Sequence, residues 1–128
     1  MALSVPALRM CLKGGFMKAI TLKTEYSINP LGIDVLVPRL SWVLEDAENA
    51  AFQTAYRVIV SSCEDFLAEG IGDVWDSLKV EAGCSVSVEY GGETLKSGKR
   101  YFWKVKVWDH KNRESEWSEN AWWEMGLV

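Results

Sequence analysis

Acid–base or nucleophilic chemistry in this chain would have to run through its one histidine, His110, in the turn "DHKNRES". A Ser-His-Asp relay needs that imidazole, and no G-x-S-x-G elbow exists to present the serine. His110 therefore reads as a solvated loop residue. Paired carboxylates can hydrolyse a glycosidic bond, but both must face one cleft and one must stay protonated near neutral pH. Glu45 with Asp46, Glu64 with Asp65 and Glu114 with Glu116 all fall in turns, as solvated charge would. Gly70-Ile-Gly72 is followed by Asp-Val-Trp, where a phosphate-cradling loop needs more glycine. No HExxH, CxxC or Walker sequence is present. Cys11, Cys63 and Cys84 are odd in number and lack metal-ligand spacing. They read as free thiols in a reducing compartment, with a bridge between Cys63 and Cys84 as the alternative. The inventory implies no catalytic residue, no metal and no cofactor.

What remains is aromatic. The chain has 7 tryptophans, more than a small core can hold. Phe102, Trp108 and Trp122 are expected to point outward from neighbouring strands, interleaved with Arg57, Lys104 and Lys106. Four readings of that set stay open. The cations can stack over indole faces and stiffen the sheet. The patch can be an interface for another domain, or for a second copy in a homo-oligomer. Flat aromatics with polar neighbours can form a sugar-stacking platform, or stack the bases of a single-stranded nucleic acid.

The elements that must position these residues are strands. Periodicity of two recurs along the chain and periodicity of 3.6 hardly appears. Strands are predicted over 18–26, 39–44, 55–62, 73–77, 84–90, 100–109 and 121–125, separated by runs rich in turn formers such as "NPLG", "EDAENAAFQ" and "YGGETLKSGK". Only "CEDFLAEG" is briefly helical, with Phe66 and Leu67 on one side. About seven short strands and no long helix predict an all-β, immunoglobulin-like antiparallel β-sandwich. Leu40, Trp42 and Leu44 share a face; so do Tyr56, Val58 and Val60. On the long strand, Tyr101, Trp103, Val105 and Val107 face inward. Phe102, Lys104, Lys106 and Trp108 take the wet side. "LKSGKRY" has the spacing of a tyrosine corner, with the Tyr101 hydroxyl bonded back to upstream backbone. The second and sixth strands carry Trp42 and Trp103 and no cysteine pair, which favours the fibronectin type III variant. Pro30 and Pro38 cannot donate to a ladder and belong at strand ends and edges.

A chain of 128 residues suits one domain. Its net charge of −4 speaks against a nucleic-acid or anionic-membrane partner. No run is long enough to span a bilayer. Residues 1–16, "MALSVPALRMCLKGGF", are too interrupted by Pro6 for a signal-peptide core. They are expected to be a leader or disordered extension before a domain over 17–128, in a cytoplasmic protein.

"NPLGID" (29–34), "PRLSW" (38–42), "QTAYRVIV" (53–60), "GDVWDS" (72–77), "YFWKVKVWD" (101–109), "SEWSE" (115–119) and "WEMGL" (123–127) come in a specific order and spacing. Together they resemble the fibronectin-III-like domain at the N-terminus of bacterial α-L-rhamnosidases, a glycoside hydrolase family. The resemblance covers about residues 20 to 127. It implies a sandwich that precedes further β-domains and an (α/α)6 barrel, whose carboxylates hydrolyse terminal L-rhamnose with inversion. None of those positions exists here, so no catalytic residue carries over, and the chain reads as an excised domain or a truncated product. The role implied is structural, packing against the catalytic and other β-domains of a parent enzyme. A carbohydrate-binding module for rhamnose-containing glycans is the runner-up. One departure is Leu78, where the pattern after "GDVWDS" has glycine, as a turn at positive φ would want.

Overall fold

The computed structural model describes residues 17–45 and 51–128; the expected leader at 1–16, with Cys11, and residues 46–50, with Asp46, lie outside them. The described strands are β1 Lys18–Thr24, β2 Arg39–Glu45, β3 Gln53–Ser61, β4 Trp75–Asp76, β5 Val88–Glu89, β6 Arg100–Asp109 and β7 Ala121–Glu124, with a short helix, α1 Glu64–Ala68, after β3. They form two antiparallel sheets, β1-β2-β5 and β4-β3-β6-β7.

The alternation read on β2, β3 and β6 is what closes the two sheets on each other. Leu40 and Trp42, then Tyr56, Val58 and Val60, then Tyr101, Trp103, Val105 and Val107 all enter one core. The Trp42 ring meets Tyr56 edge-on at 5.3 Å. A buried indole also needs an acceptor. Trp42 Nε1 donates to Gln53 Oε1 at 2.9 Å. Gln53 Nε2 donates in turn to the carbonyls of Ala82 and Cys84, at 3.1 and 2.7 Å. The tyrosine corner forms as its spacing predicts: the Lys96 N–H donates to the Tyr101 hydroxyl at 2.9 Å. Leu95 is buried beside it, and Gly98 turns the chain at φ 71.

The run "NPLGI" does more than link β1 to β2. It closes the free edge of β7. Asn29 Oδ1 accepts from the Trp122 N–H at 3.0 Å. The Pro30 carbonyl accepts from the Glu124 N–H, Ile33 N–H donates to the Glu124 carbonyl, and Gly126 N–H donates to the Ile33 carbonyl at 2.7 Å. Pro30 serves here because only its carbonyl is used. A Cβ on Gly126 would stand 3.3 Å from the Gly32 backbone, so glycine lets these two segments approach. Pro38 sits just before β2, its carbonyl accepting from the Tyr90 N–H at 3.0 Å.

Several expectations need correction. β5 keeps only two residues of the expected strand at 84–90, because Ser87 takes φ 56 and turns the chain out of extended form. β1 stops at Thr24 because Glu25 and Tyr26 both lie at positive φ. The first turn of α1 buries Leu67 but leaves Phe66 exposed; neighbours on a helix point about 100° apart and cannot share one narrow contact. Cys63 and Cys84 are both free, so no bridge joins them.

Leu78 does occupy the positive-φ turn, at φ 57. The Asp76 carboxylate holds it by accepting the Leu78 N–H at 2.9 Å. Its side chain is 63% exposed, so packing does not offset the strain. Leu78→Gly should stabilise the domain by about 1 kcal/mol, the usual left-handed penalty less the extra entropy of an unfolded glycine. A urea midpoint that rises at unchanged slope checks this; a fall would show that the side chain itself stabilises the turn.

Candidate functional site

The β3–β6 register puts outward residues opposite one another: Ala55 with Trp108, Arg57 with Lys106, Ile59 with Lys104, and Ser61 with Phe102. The β6–β7 register sets Phe102 beside Trp122. All the residues singled out from the sequence thus share one face of the larger sheet. That face is not as wet as expected. Trp108 is only 9% exposed and Lys104 only 8%; Phe102 and Trp122 are half-buried.

The cause is the segment at 114–118. β6 has 10 residues and β7 only 4, so much of the β6 edge would lack a partner. Two serines supply one. Ser115 N–H donates to the Val107 carbonyl at 2.8 Å, and its Oγ accepts from the Val107 N–H at 2.9 Å. Ser118 repeats the pattern on Val105, at 2.9 and 3.0 Å. A hydroxyl oxygen replaces the strand carbonyl, so buried N–H groups stay satisfied without a true strand.

Pinned at both ends, the segment lays Trp117 across the cations. Lys106 Nζ lies 4.5 Å, Lys104 Nζ 5.0 Å and Arg57 Cζ 5.7 Å from the Trp117 ring centre. Sequence reading missed Trp117, which falls outside any alternating run. The Ser-x-x-Ser spacing around it is the signal that could have found it. Two of these cations have anionic partners too. Arg57 grips Asp76 through Nε at 3.0 Å and Nη2 at 2.7 Å, and Lys106 Nζ meets Glu114 at 2.6 Å. Lys79 Nζ covers Trp108 at 4.8 Å, and the Arg100 guanidinium lies 3.8 Å from the Trp122 ring centre. Burial, and then the like charge of Lys106, push the Lys104 ammonium below the usual lysine range.

Three carboxyls are tuned in the direction opposite to a catalytic acid. Hydrogen bonding to Arg57 holds Asp76 low, and hydrogen bonding to Arg39 does the same for Glu25. Burial alone would raise Asp109, but hydrogen bonds from the Arg113 N–H and guanidinium and the Lys111 N–H outweigh it. Among the described residues no cluster of His, Cys, Asp and Glu is placed to hold a metal. His110 stacks on Phe52 at 5.1 Å. A separate open cavity of about 300 Å³ lies between β1 and the start of β7, lined by Lys18, Thr21, Ile28, Asn29, Glu119 and Asn120 among others; no residue of the aromatic face lines it. No helix among the described residues is long and apolar enough to cross a membrane.

Two predictions follow from the ladder and its acids. Trp117→Ala should cost about 2 kcal/mol, for three partly desolvated cation–π contacts at roughly 0.5–1 kcal/mol each; equilibrium unfolding in urea reads it, and a loss under about 0.5 kcal/mol would mean that the stack contributes little. The depressed carboxyls add stability that is complete above their unfolded pKa, near 4, and is lost as pH falls through the lower folded values. Acid unfolding should therefore steepen below about pH 4, and Asp109→Asn should be less stable at neutral pH and show a shallower acid limb. An unchanged limb would remove Asp109 as a cause.

With this geometry in place, comparison with known proteins is direct. Residues 19–128 match the family model described as the Rha78A-like, N-terminal immunoglobulin domain. An α-L-rhamnosidase of Formosa agariphila is 45% identical over 100 residues, which are 78% of this chain and 10% of that protein. One from Streptomyces avermitilis is 45% identical over 112 residues, 88% of this chain and 11% of that protein. The crystal structure of the Streptomyces avermitilis enzyme complexed with L-rhamnose superposes with a TM-score of 0.83, covering 88% of this chain and 11% of that one. The α-L-rhamnosidase structure from Dictyoglumus thermophilum also gives 0.83 at 45% identity, covering 85% and 12%. The chain thus spans about a tenth of the length of the relatives it matches.

Proposed function

Because the chain belongs to the family of Rha78A-like N-terminal immunoglobulin domains, we propose that it is a structural module of an α-L-rhamnosidase, packed against the domains that follow it. A segment that matches 11% of such a protein is not its catalytic part. The observation that carries the structural reading is the cation ladder: Arg57, Lys104 and Lys106 are all engaged with Trp117, and two of them also with Asp76 and Glu114. A face whose cations and carboxylates already neutralise one another stiffens the sheet; it holds no group in reserve for a reacting bond.

The strand arrangement supports the fibronectin type III variant, since β4 pairs with β3 on the larger sheet. A rhamnosylated glycan on the aromatic face is the weaker reading. Trp108 is buried, and Trp122 already has a guanidinium over its ring, which leaves little flat aromatic surface for a sugar to stack on.

Titrating the chain with L-rhamnose and rhamnosylated oligosaccharides, with tryptophan fluorescence as readout, tests this. A flat response is expected, together with no release of aryl alcohol from an aryl rhamnoside. A saturable change that Trp122→Ser abolishes would instead make the chain a sugar-binding module. Turnover proportional to chain concentration through purification would sink the non-catalytic reading outright.

A further inference from the structure

The run at 26–37 contains the odd composition of the chain, and the hydrogen bonds that close β7 explain only half of it. Tyr26, Ile28, Leu31, Val35, Leu36 and Val37 all lie exposed, from 38% at Val35 to 65% at Leu31. Three of these are consecutive. Elsewhere on the described surface exposed apolar residues such as Val43, Phe52 and Val86 stand apart in sequence, which is ordinary for a soluble protein. Three consecutive exposed apolar residues are not ordinary in a soluble domain and point to a contact.

The run is held rigidly. Thr24 and Ser27 exchange backbone hydrogen bonds at its start; Ile33 is fixed to Glu124 and Gly126, and the Pro38 carbonyl is taken by Tyr90. The Tyr26 hydroxyl bonds Ser87 at 2.9 Å, and Arg39, paired with Glu25, lies over its ring. An ordered apolar surface loses little entropy when it is covered.

The C-terminal residues lie beside it. Gly126 N–H donates to the Ile33 carbonyl, the Gly126 carbonyl accepts from Gly98, and Val128 N–H donates to Ser97 Oγ at 3.0 Å. Leu127, 90% exposed, directly follows Gly126, which is bonded to Ile33. In the relatives the matched part is 10 or 11% of the protein, and the family's domain is N-terminal, so the remaining polypeptide lies on the C-terminal side. A polypeptide continuing past Val128 starts two residues beyond Gly126, which is bonded to Ile33 of the run. A domain tethered there meets the run at an effective concentration on the order of millimolar. A small apolar contact then suffices inside one polypeptide while staying too weak to bring separate copies together.

We infer that residues 26–37, with Leu127 and Val128, form the seat for the domain that immediately follows this one in its parent polypeptide, which presents an apolar surface to them. This rests on the structural-module reading above and gives that module its contact face, which is not the aromatic face of the larger sheet. The test places this chain in the Streptomyces avermitilis α-L-rhamnosidase in exchange for its matched segment. Amide hydrogen exchange is then compared between the fusion and the chain alone. Amides of residues 31–37 should exchange at least ten-fold more slowly in the fusion, and Leu36→Asp should reverse this. Near-UV circular dichroism of the Leu36→Asp chain alone, unchanged from wild type, establishes that the variant folds. Slowing confined to the β6–β7 face around Phe102 and Trp122 would overturn the inference and leave the packing reading standing. Slowing nowhere would overturn both. Slowing in the chain alone that grows with its concentration would give the seat to a second copy and overturn the assignment of its occupant.

Discussion

The longest strand of this domain outruns its neighbour, and much of the structure answers that mismatch. β6 carries the tyrosine corner, the core indole Trp103 and both ladder lysines, so it must stay paired along its whole length. β7 reaches only as far as Trp103. Beyond it, the hydroxyls of Ser115 and Ser118 accept the N–H groups that a longer strand would have taken. Buried backbone donors without acceptors would each cost about 1–3 kcal/mol. The solution has a by-product. Between residues 115 and 118, fixed to the edge, Trp117 lies over the sheet, and there it meets three cations.

Most of the frame was legible because it rests on strict alternation. Leu40, Trp42, Tyr56, Val58, Val60, Tyr101, Trp103, Val105 and Val107 lie where a period of two puts them, and the Leu95–Gly98–Tyr101 spacing forms the corner it predicts. The outer face was less legible for a physical reason. Alternation says which side of a sheet a residue takes; it does not say whether something else covers that side. Trp108 and Lys104 are correctly placed as outward and still buried, because Lys79 and Trp117 come from segments with no periodicity. The shortened β5 failed for another reason: its composition favours a strand, but Ser87 sits at positive φ, which composition does not reveal. Leu78 was the reverse case: the resemblance implied a glycine there, and the chain keeps the positive-φ turn with a residue that resists it.

The two outer surfaces divide the work by chemistry. On the larger sheet, charge is paired with aromatic rings and with opposite charge, and the result is a stiff plate. At the opposite extreme, the run at 26–37 carries almost no charge beyond Asp34 and presents apolar groups on a backbone held at both ends. On the first surface charge is largely met within the domain; the second has unburied hydrophobic area. The chain belongs to the Rha78A-like N-terminal immunoglobulin domains and spans about a tenth of the length of the relatives it matches.

The closure of the β7 edge also fixes when this domain can fold. Asn29 and Trp122, joined by a hydrogen bond, are 93 residues apart in the chain. Contacts of such high separation make folding slow, since a long loop must close before they form. During synthesis the ribosome delivers the chain from its N-terminus at roughly 5–20 residues per second. The stretch at 29–33 therefore waits several seconds for its partner strand, with its apolar residues open to solvent. Only a sandwich already closed at β7 holds the run at 26–37 in its rigid form.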